Sequence, residues 1–331
     1  MSDIQNMLLE TANAVFANRT DAGFDEVWQT VNEAGFGILL LDEEAGGFDG
    51  DWADFFAVMR EAGRHALPAP VGEFALATWC ATEAGVELPP GCISIATDVE
   101  GEVAGSVFNG TLRRIPWGRH VDHVVAVSSG QLMLLPLASA RIEQRENPAG
   151  EPRDDAILTD VEVVTAESDV DLQARAGLMR VGQISGAVDA ALEMSIEYAN
   201  SREQFGRPLA KFQAVQQNLA VFASEAAAVN CAGQAAALAC DRDTAGDGAW
   251  FELAAAKLRV NMAVDKATAI AHQVHGAIGF TEEYPLHRLT RRLMSWRSEY
   301  GNDRFWTERL GNHVAGLGGT GLWHSVTGRS D

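Results

Sequence analysis

The stretch NSREQFGRPLAKFQAVQ, residues 200–216, decides the fold, because it interrupts a long helical pattern with side chains that packing does not require. The polar and aromatic groups around the interruption are Arg202, Gln204, Phe205 and Gln213. Pro208 cannot continue a helix, so the next helix begins just after it, with unpaired backbone N–H groups at its start. A connecting segment that carries a cation, a flat aromatic ring and unpaired backbone N–H groups indicates a role beyond connecting two helices.

Long helices are predicted on both sides of this stretch. Apolar and small residues recur at helical spacing from about residue 168 to 203, and two further alanine-rich segments and a shorter one follow. Three long helices and a short one predict an up-down helical bundle. Gly182 and Gly186 lie along one side of the first long helix, where small residues allow a neighbouring helix to approach closely.

The part of the chain before the bundle contains two different sequence patterns in succession. Residues 1–92 have helical periodicity and predict an N-terminal helical domain. Residues 93–167 contain short β-branched or alternating runs separated by turn residues, which predict a small antiparallel barrel or sandwich as a middle β-domain. Residues 168–331 form the bundle. The predicted class is α+β, with helices in the majority.

Composition excludes several classes of function. The chain has 331 residues and a net charge of −21, which disfavours binding to nucleic acid or to acidic lipid surfaces. No apolar run is long enough to cross a bilayer, and the N-terminus lacks the pattern of a signal peptide, so a cytoplasmic protein is expected. The four cysteines show no metal spacing, and His272 and His275 have no further ligand beside them, so no metal site is predicted.

Two motifs together resemble those of the acyl-CoA dehydrogenase family. The first is SREQFGRPLAKFQAVQ, and QVHGAIGFTEEYPLHRLTRR follows it some sixty residues later. The order of helices, β-domain and bundle is also that family's order, and the resemblance covers nearly the whole chain. It implies a flavoprotein that uses FAD and acts on acyl-CoA thioesters, as in the β-oxidation of fatty acids or steroid side chains.

The resemblance assigns roles to individual residues. It implies that the first motif reaches across a dimer interface to the pyrophosphate and adenosine end of FAD, through Arg202, Gln204, Phe205 and Gln213. It implies that the second motif lies against the same cofactor, through Gln273, Gly276 and Ala277. The forked guanidinium of Arg202 suits a pyrophosphate, and the ring of Phe205 offers a flat apolar surface. Ala277 stands where the family usually has a glycine.

The catalytic base is the weakest part of the resemblance. The reaction needs a carboxylate to remove the α-proton of the thioester while the β-hydrogen leaves as a hydride to the flavin. The family's usual glutamate aligns with Tyr300, and its second location aligns with Met262, neither of which is a carboxylate. Glu299 is adjacent to Tyr300 and is therefore predicted as the base. The family's TEPxxGSD-like stretch is replaced by ATDVEGEVAGSVFNG, where Thr97 and Ser106 are remnants, as is Trp117 further on.

Three functions remain open at this point. The leading prediction is an FAD-dependent acyl-CoA dehydrogenase with Glu299 as base. The second is a non-catalytic subunit of a hetero-oligomer that completes the FAD site of a partner chain. The third is a flavin monooxygenase or a nitroalkane-oxidising relative on the same fold. The resemblance implies an electron-transferring flavoprotein as acceptor, and a homodimer, a homotetramer or a heterotetramer with a second acyl-CoA dehydrogenase chain.

Overall fold

The computed structural model describes residues 3–17, 19, 22–243 and 249–328. Helices dominate, and strands occur mainly between two helical parts, so the predicted α+β class is confirmed. The N-terminal helices are α1 (Asp3–Phe16), α2 (Phe24–Glu33), α3 (Trp52–Arg64) and α4 (Val71–Glu83). Asp51 caps α3, because its carboxylate accepts a hydrogen bond from the backbone N–H of Asp54 at 2.7 Å.

The strands that follow form two four-stranded sheets. They are β1 (Ile93–Ala96), β2 (Val99–Ala104), β3 (Val107–Pro116), β4 (His123–Ser128), β5 (Gln131–Pro136), β6 (Arg141–Glu143), β7 (Arg153–Glu162) and β8 (Val164–Glu167). One sheet has the order β1-β4-β5-β8, and the other has the order β2-β3-β7-β6. Buried side chains from both sheets, among them Phe108, Val124 and Leu158, share one apolar core.

One strand pair departs from the expected antiparallel arrangement. β1 runs parallel to β4, with Ile93 opposite His123 and Ala96 opposite Ala126. Parallel neighbours need a long connection, and here β2 and β3 supply it by crossing to the other sheet. Short strands separated by turn residues predict hairpins. This pattern does not indicate which strand belongs to a different sheet from the strand before it.

The C-terminal part is a helical bundle. Its helices are α5 (Leu172–Ser201), α6 (Gln213–Arg242), α7 (Trp250–His275), α8 (Leu286–Trp296) and α9 (Asp303–Gly328). The two-residue strands β9 (Glu203–Gln204) and β10 (Arg207–Pro208) lie between α5 and α6. α5 is the central element, because it contacts α3, α6, α7 and α8 and is buried along much of its length. No helix in the described ranges is long and apolar enough to cross a membrane.

Glycines bring α3 and α5 into backbone contact. A Cβ on Gly63 would lie 1.9 Å from the carbonyl oxygen of Gln183, and one on Gly186 would lie 1.8 Å from that of Arg60. The close helix approach predicted from the small residues of α5 is therefore confirmed. This contact fixes the N-terminal helices on the bundle.

Gly63→Ala should destabilise the protein by at least about 2 kcal/mol, because the new methyl group forces two packed backbones apart. Gly311→Ala is the matched control: a Cβ on this exposed residue of α9 meets no atom within 4 Å, so the change should be neutral or stabilising by up to about 1 kcal/mol. The midpoint of urea unfolding measures both effects. Equal midpoints for the two variants would contradict the contact.

Candidate functional site

The Gly-x-Pro interruption forms a projecting hairpin. α5 ends at Ser201, and β9 and β10 pair in antiparallel fashion around Phe205 and Gly206, which have φ angles of 52° and 79°. The ring of Phe205 is 91% exposed. Arg207 lies over the ring of Phe212, with its guanidinium carbon 4.2 Å from the ring centre, which braces the hairpin against the start of α6. An aromatic ring that an ordered hairpin holds in solvent does not contribute to the packing of the core.

All seven residues predicted to contact the cofactor are exposed. They are Arg202, Gln204, Phe205, Gln213, Gln273, Gly276 and Ala277. Arg202 forms no ion pair with any residue in the described ranges, so its guanidinium is free to bind a ligand. A Cβ on Gly276, where φ is 64°, would meet no atom within 4 Å, so the backbone there is open to a close neighbour.

The two motifs start side by side. Tyr198, near the end of α5, stacks on His275 at the end of α7, with ring centres 4.6 Å apart. The backbone N–H of Arg202 donates to the carbonyl oxygen of Tyr198 at 2.8 Å, and Gly276 directly follows His275. The hydroxyl of Tyr284 lies 3.2 Å from Nε2 of His275 and supports the pair from a third segment. The exposed segments that follow α5 and α7 therefore leave the bundle at the same end.

These groups fit the pyrophosphate and adenosine end of a flavin dinucleotide. Arg202 supplies a forked cation without a competing carboxylate, and Phe205 supplies a flat apolar face. The open backbone at Gly276 allows a flat group to approach. We define these seven exposed residues as the cofactor surface.

Glu299 lies in a different environment from the cofactor surface. Arg153 donates from Nε to Oε1 of Glu299 at 2.9 Å and from Nη2 to Oε2 at 3.1 Å. Arg180 donates from Nε to Oε2 at 2.8 Å, and Asn147 donates from Nδ2 to Oε1 at 3.0 Å. Burial by itself would raise the pKa of Glu299, but the two guanidinium groups hold it well below its usual range.

This geometry opposes the predicted role of Glu299 as the base. A carboxylate that removes a carbon-bound proton needs an accessible oxygen and a raised pKa. Both oxygens of Glu299 accept charged hydrogen bonds, its side chain is only 17% exposed, and its pKa moves in the wrong direction. The carboxylate acts instead as a counter-ion.

Glu299 belongs to a larger set of buried charges, which we call the ion network. Its members are Glu73, Glu151, Glu299, Arg153, Arg180 and Arg292. Arg180 donates to Glu73 at 2.9 Å, Arg153 to Glu151 at 2.9 Å, and Arg292 to Glu151 at 3.0 Å. Trp296 also donates to Glu151, from Nε1 at 2.8 Å. Three carboxylates balance three guanidinium groups, and together they join α4, α5, α8 and the start of β7.

The turn around Glu299 is fixed by its neighbours. The buried Nζ of Lys257 donates to the carbonyl oxygens of Arg297 at 2.8 Å and Gly301 at 3.2 Å. Burial lowers the pKa of Lys257 to about 7. Tyr300 has a φ of 53°, and burial raises the pKa of its hydroxyl, which has no hydrogen-bond partner within the described ranges. Tyr300 is thus an even poorer base than a free tyrosine.

The other positions considered for chemistry do not replace Glu299. Met262 is 64% exposed on α7 and carries no titratable group. Trp117 packs against Phe24 of α2, with ring centres 5.3 Å apart, so its ring joins the strands to the N-terminal helices. Thr97 follows β1, and Ser106 lies in the turn between β2 and β3.

Sequence reasoning missed Arg153, Arg180 and the other glutamates of the ion network. Their partners are far apart in the chain: Arg180 and Glu299 are 119 residues apart, and Arg180 and Glu73 are 107. One local signal was present. Glu73 and Arg180 are single charges within otherwise apolar helical runs, VGEFALA and LMRVG, and a charge in such a run needs a buried partner.

Comparisons with known proteins agree with the two motifs. The family described as "Acyl-CoA dehydrogenase, C-terminal domain" matches residues 174–314. The acyl-CoA dehydrogenase IpdE2 of Mycobacterium tuberculosis is 30% identical over 285 residues, which are 83% of each chain. The solved steroid ACAD Tcur3481-Tcur3483 (G363A variant) superposes with a TM-score of 0.84 at 22% identity, over 95% of this chain and 98% of its own. The ChsE4-ChsE5 complex of M. tuberculosis gives 0.83 at 19%, over 95% and 98%.

Glu299→Gln should destabilise the isolated protein by about 3–5 kcal/mol, because it leaves Arg153 and Arg180 buried with too little negative charge. Glu203→Gln, on the exposed hairpin, is the matched control and should change stability by no more than about 0.5 kcal/mol. Urea unfolding followed by circular dichroism measures both. A Glu299→Gln protein as stable as the wild type would contradict the ion network.

The ion network also predicts a pH dependence of stability. The native pKa of Glu299 and of Glu151 lies below the unfolded value of about 4.3, so their stabilisation is present above that pH and is lost as the pH falls below it. The free energy of unfolding should therefore fall as the pH is lowered from about 6 to about 3. The fall should be shallower in Glu299→Gln, which lacks one of the two groups; parallel curves would refute this assignment.

Proposed function

Because the chain belongs to the acyl-CoA dehydrogenase family, we propose that it is the subunit of a hetero-oligomeric acyl-CoA dehydrogenase that completes the FAD site of a catalytic partner chain. The observation that carries the proposal is the pair of guanidinium groups that bind both oxygens of Glu299. The carboxylate nearest to the family's base position is therefore unable to accept a proton from a substrate. The residues of the cofactor surface, by contrast, are exposed and able to bind a ligand.

The cofactor surface is built for contact with another chain. Its groups are exposed at one end of the bundle, and the ring of Phe205 is 91% exposed. The resemblance of the first motif implies binding across a subunit interface, and an exposed hairpin suits that role better than a site folded into its own chain. In the proposed complex, Arg202 would pair with the pyrophosphate of FAD, and Phe205 would offer its ring to an apolar face of the cofactor.

The proposed division of labour accounts for the reaction. Bound FAD would supply the acceptor for the β-hydrogen of an acyl-CoA, which would leave as a hydride. The α-proton passes to a carboxylate of the partner chain, because Glu299, Tyr300 and Met262 of this chain are unsuited to receive it. This chain binds and orients the cofactor, and its ion network holds the bundle, the strands and α4 together.

The relatives support a hetero-oligomer. Two solved structures with the same fold are described as the ChsE4-ChsE5 complex and as Tcur3481-Tcur3483, each with two named chains. We extend that arrangement to this chain as part of the proposal, with an acyl-CoA as the substrate of the complex. An electron-transferring flavoprotein is the proposed acceptor of the electrons.

Arg202→Ala should weaken FAD binding by the complex about ten- to a hundredfold, since it removes a charge-assisted contact of about 1.5–3 kcal/mol. The experiment co-expresses this chain with candidate catalytic acyl-CoA dehydrogenase chains from the same organism, purifies the complex that forms and titrates the stripped complex with FAD. Flavin fluorescence quenching reports the affinity. Arg141→Ala, an arginine of β6 with a 70% exposed side chain, is the matched control and should bind FAD as the wild type does.

Two results of that experiment would overturn the proposal. One is wild-type FAD affinity in the Arg202→Ala complex. The other is bleaching of flavin by an acyl-CoA in this chain purified alone, since such bleaching requires a base within the chain itself.

A further inference from the structure

Three ring-bearing side chains form a cluster next to the cofactor surface. They are Tyr198 of α5, His275 at the end of α7 and Tyr284 just before α8, and we call them the ring cluster. The ring centres of Tyr198 and His275 lie 4.6 Å apart, those of His275 and Tyr284 5.0 Å apart, and those of the two tyrosines 6.0 Å apart. All three separations are in the range in which aromatic rings attract one another. The ring cluster therefore joins α5, α7 and the segment before α8.

The polar edge of His275 fixes the orientation of its ring. Nδ1 of this buried residue lies 2.8 Å from the carbonyl oxygen of Ala271, and a carbonyl oxygen can only accept, so Nδ1 carries a proton. Burial lowers the pKa of His275, so the ring is neutral near pH 7.5 and Nε2 is an acceptor. The hydroxyl of Tyr284 lies 3.2 Å from Nε2 and is the donor. Both nitrogens are thereby satisfied, an arrangement that the packing of an apolar ring would not require.

The two sides of the ring cluster continue directly into the two motifs. The backbone of Arg202 is held at both ends, because its N–H donates to the carbonyl oxygen of Tyr198 at 2.8 Å and its carbonyl oxygen accepts from the N–H of Leu209 at 2.9 Å. On the other side, Gly276 directly follows His275. A shift of either ring would therefore move the backbone that carries Arg202 or Gly276.

We propose that Tyr198, His275 and Tyr284 are positioning residues that couple the two motifs of the cofactor surface. This inference rests on the proposed role of that surface in holding FAD. The ring cluster sets the distance between Arg202 and the open backbone at Gly276 before the cofactor binds, so that binding costs little conformational freedom. The three rings act through these two residues and need no contact with the cofactor themselves.

FAD titration of the stripped complex with the partner chain measures this coupling. Tyr198→Leu should weaken FAD binding about tenfold, because a leucine side chain cannot stack on His275. The conservative variant Tyr198→Phe keeps the ring and should recover most of that affinity. Phe48→Leu is the matched control, since this ring is 60% exposed in the segment between α2 and α3, and it should bind FAD as the wild type does.

A double variant distinguishes positioning from a general loss of stability. The distance between the motifs matters to FAD only while Arg202 is present, so Tyr198→Leu should weaken binding by less than about threefold in the Arg202→Ala background. If the two single effects multiply instead, or if Tyr198→Leu binds as the wild type does, the inference is overturned and the proposed function stands. Wild-type affinity in Arg202→Ala alone would overturn both.

¹⁵N NMR of the full-length chain tests the ring cluster without FAD or a partner chain. Near pH 7.5, His275 should carry its proton on Nδ1, with its signals assigned by their loss in His275→Gln. Tyr284→Phe should shift the Nε2 resonance, because it removes the hydroxyl that donates to this nitrogen and keeps the ring. A proton on Nε2 in the wild type, or an unshifted Nε2 resonance in Tyr284→Phe, would overturn the inference whatever the FAD titrations give.

Discussion

The contact between Glu299 and the guanidinium groups of Arg153 and Arg180 is the constraint on which the rest of the molecule depends. Charges taken out of water repay their desolvation only when every one is paired and hydrogen-bonded, and here three carboxylates meet three guanidinium groups. Since its members come from α4, α5, α8, the start of β7 and the segments just before β7 and just after α8, the ion network can be complete only when the helical and strand parts are correctly assembled. Loss of one member leaves its partners buried and unbalanced.

In the proposed complex, the two ends of the bundle have different roles. At one end, the turn after α8 carries the residues that the family aligns with its base, and the ion network and Lys257 hold that turn rigid. At the other end, the hairpin after α5 and the turn after α7 leave their polar and aromatic groups exposed. This difference between the two ends is the basis of the proposal that the chain holds a cofactor against a neighbour and leaves proton removal to that neighbour.

Much of this could be predicted from the sequence, because the signals are local. Helical periodicity, strand-like runs and the Gly-x-Pro interruption each reside in a few consecutive residues, and the order of helices, strands and bundle follows from them. The crossing of β2 and β3 to a second sheet and the pairing of Arg180 with Glu299 depend on residues far apart in the chain. In the sequence, Glu299 is only a carboxylate next to the position of the family's base. Its role as a counter-ion cannot be predicted without knowing that Arg153 and Arg180 lie beside it.

The rate of flavin bleaching in a charge-balanced variant tests the central claim most directly. Arg153→Met combined with Glu299→Gln removes one positive and one negative charge together, so the ion network keeps its balance and the complex should fold with its full FAD content. Anaerobic mixing of this complex with a panel of acyl-CoA thioesters, followed near 450 nm, gives the rate. The account predicts a rate within about threefold of the wild-type complex, whereas loss of a true base would lower it by about 10²–10⁴. A loss of that size with FAD still bound would show that Glu299 takes the proton and would contradict the account.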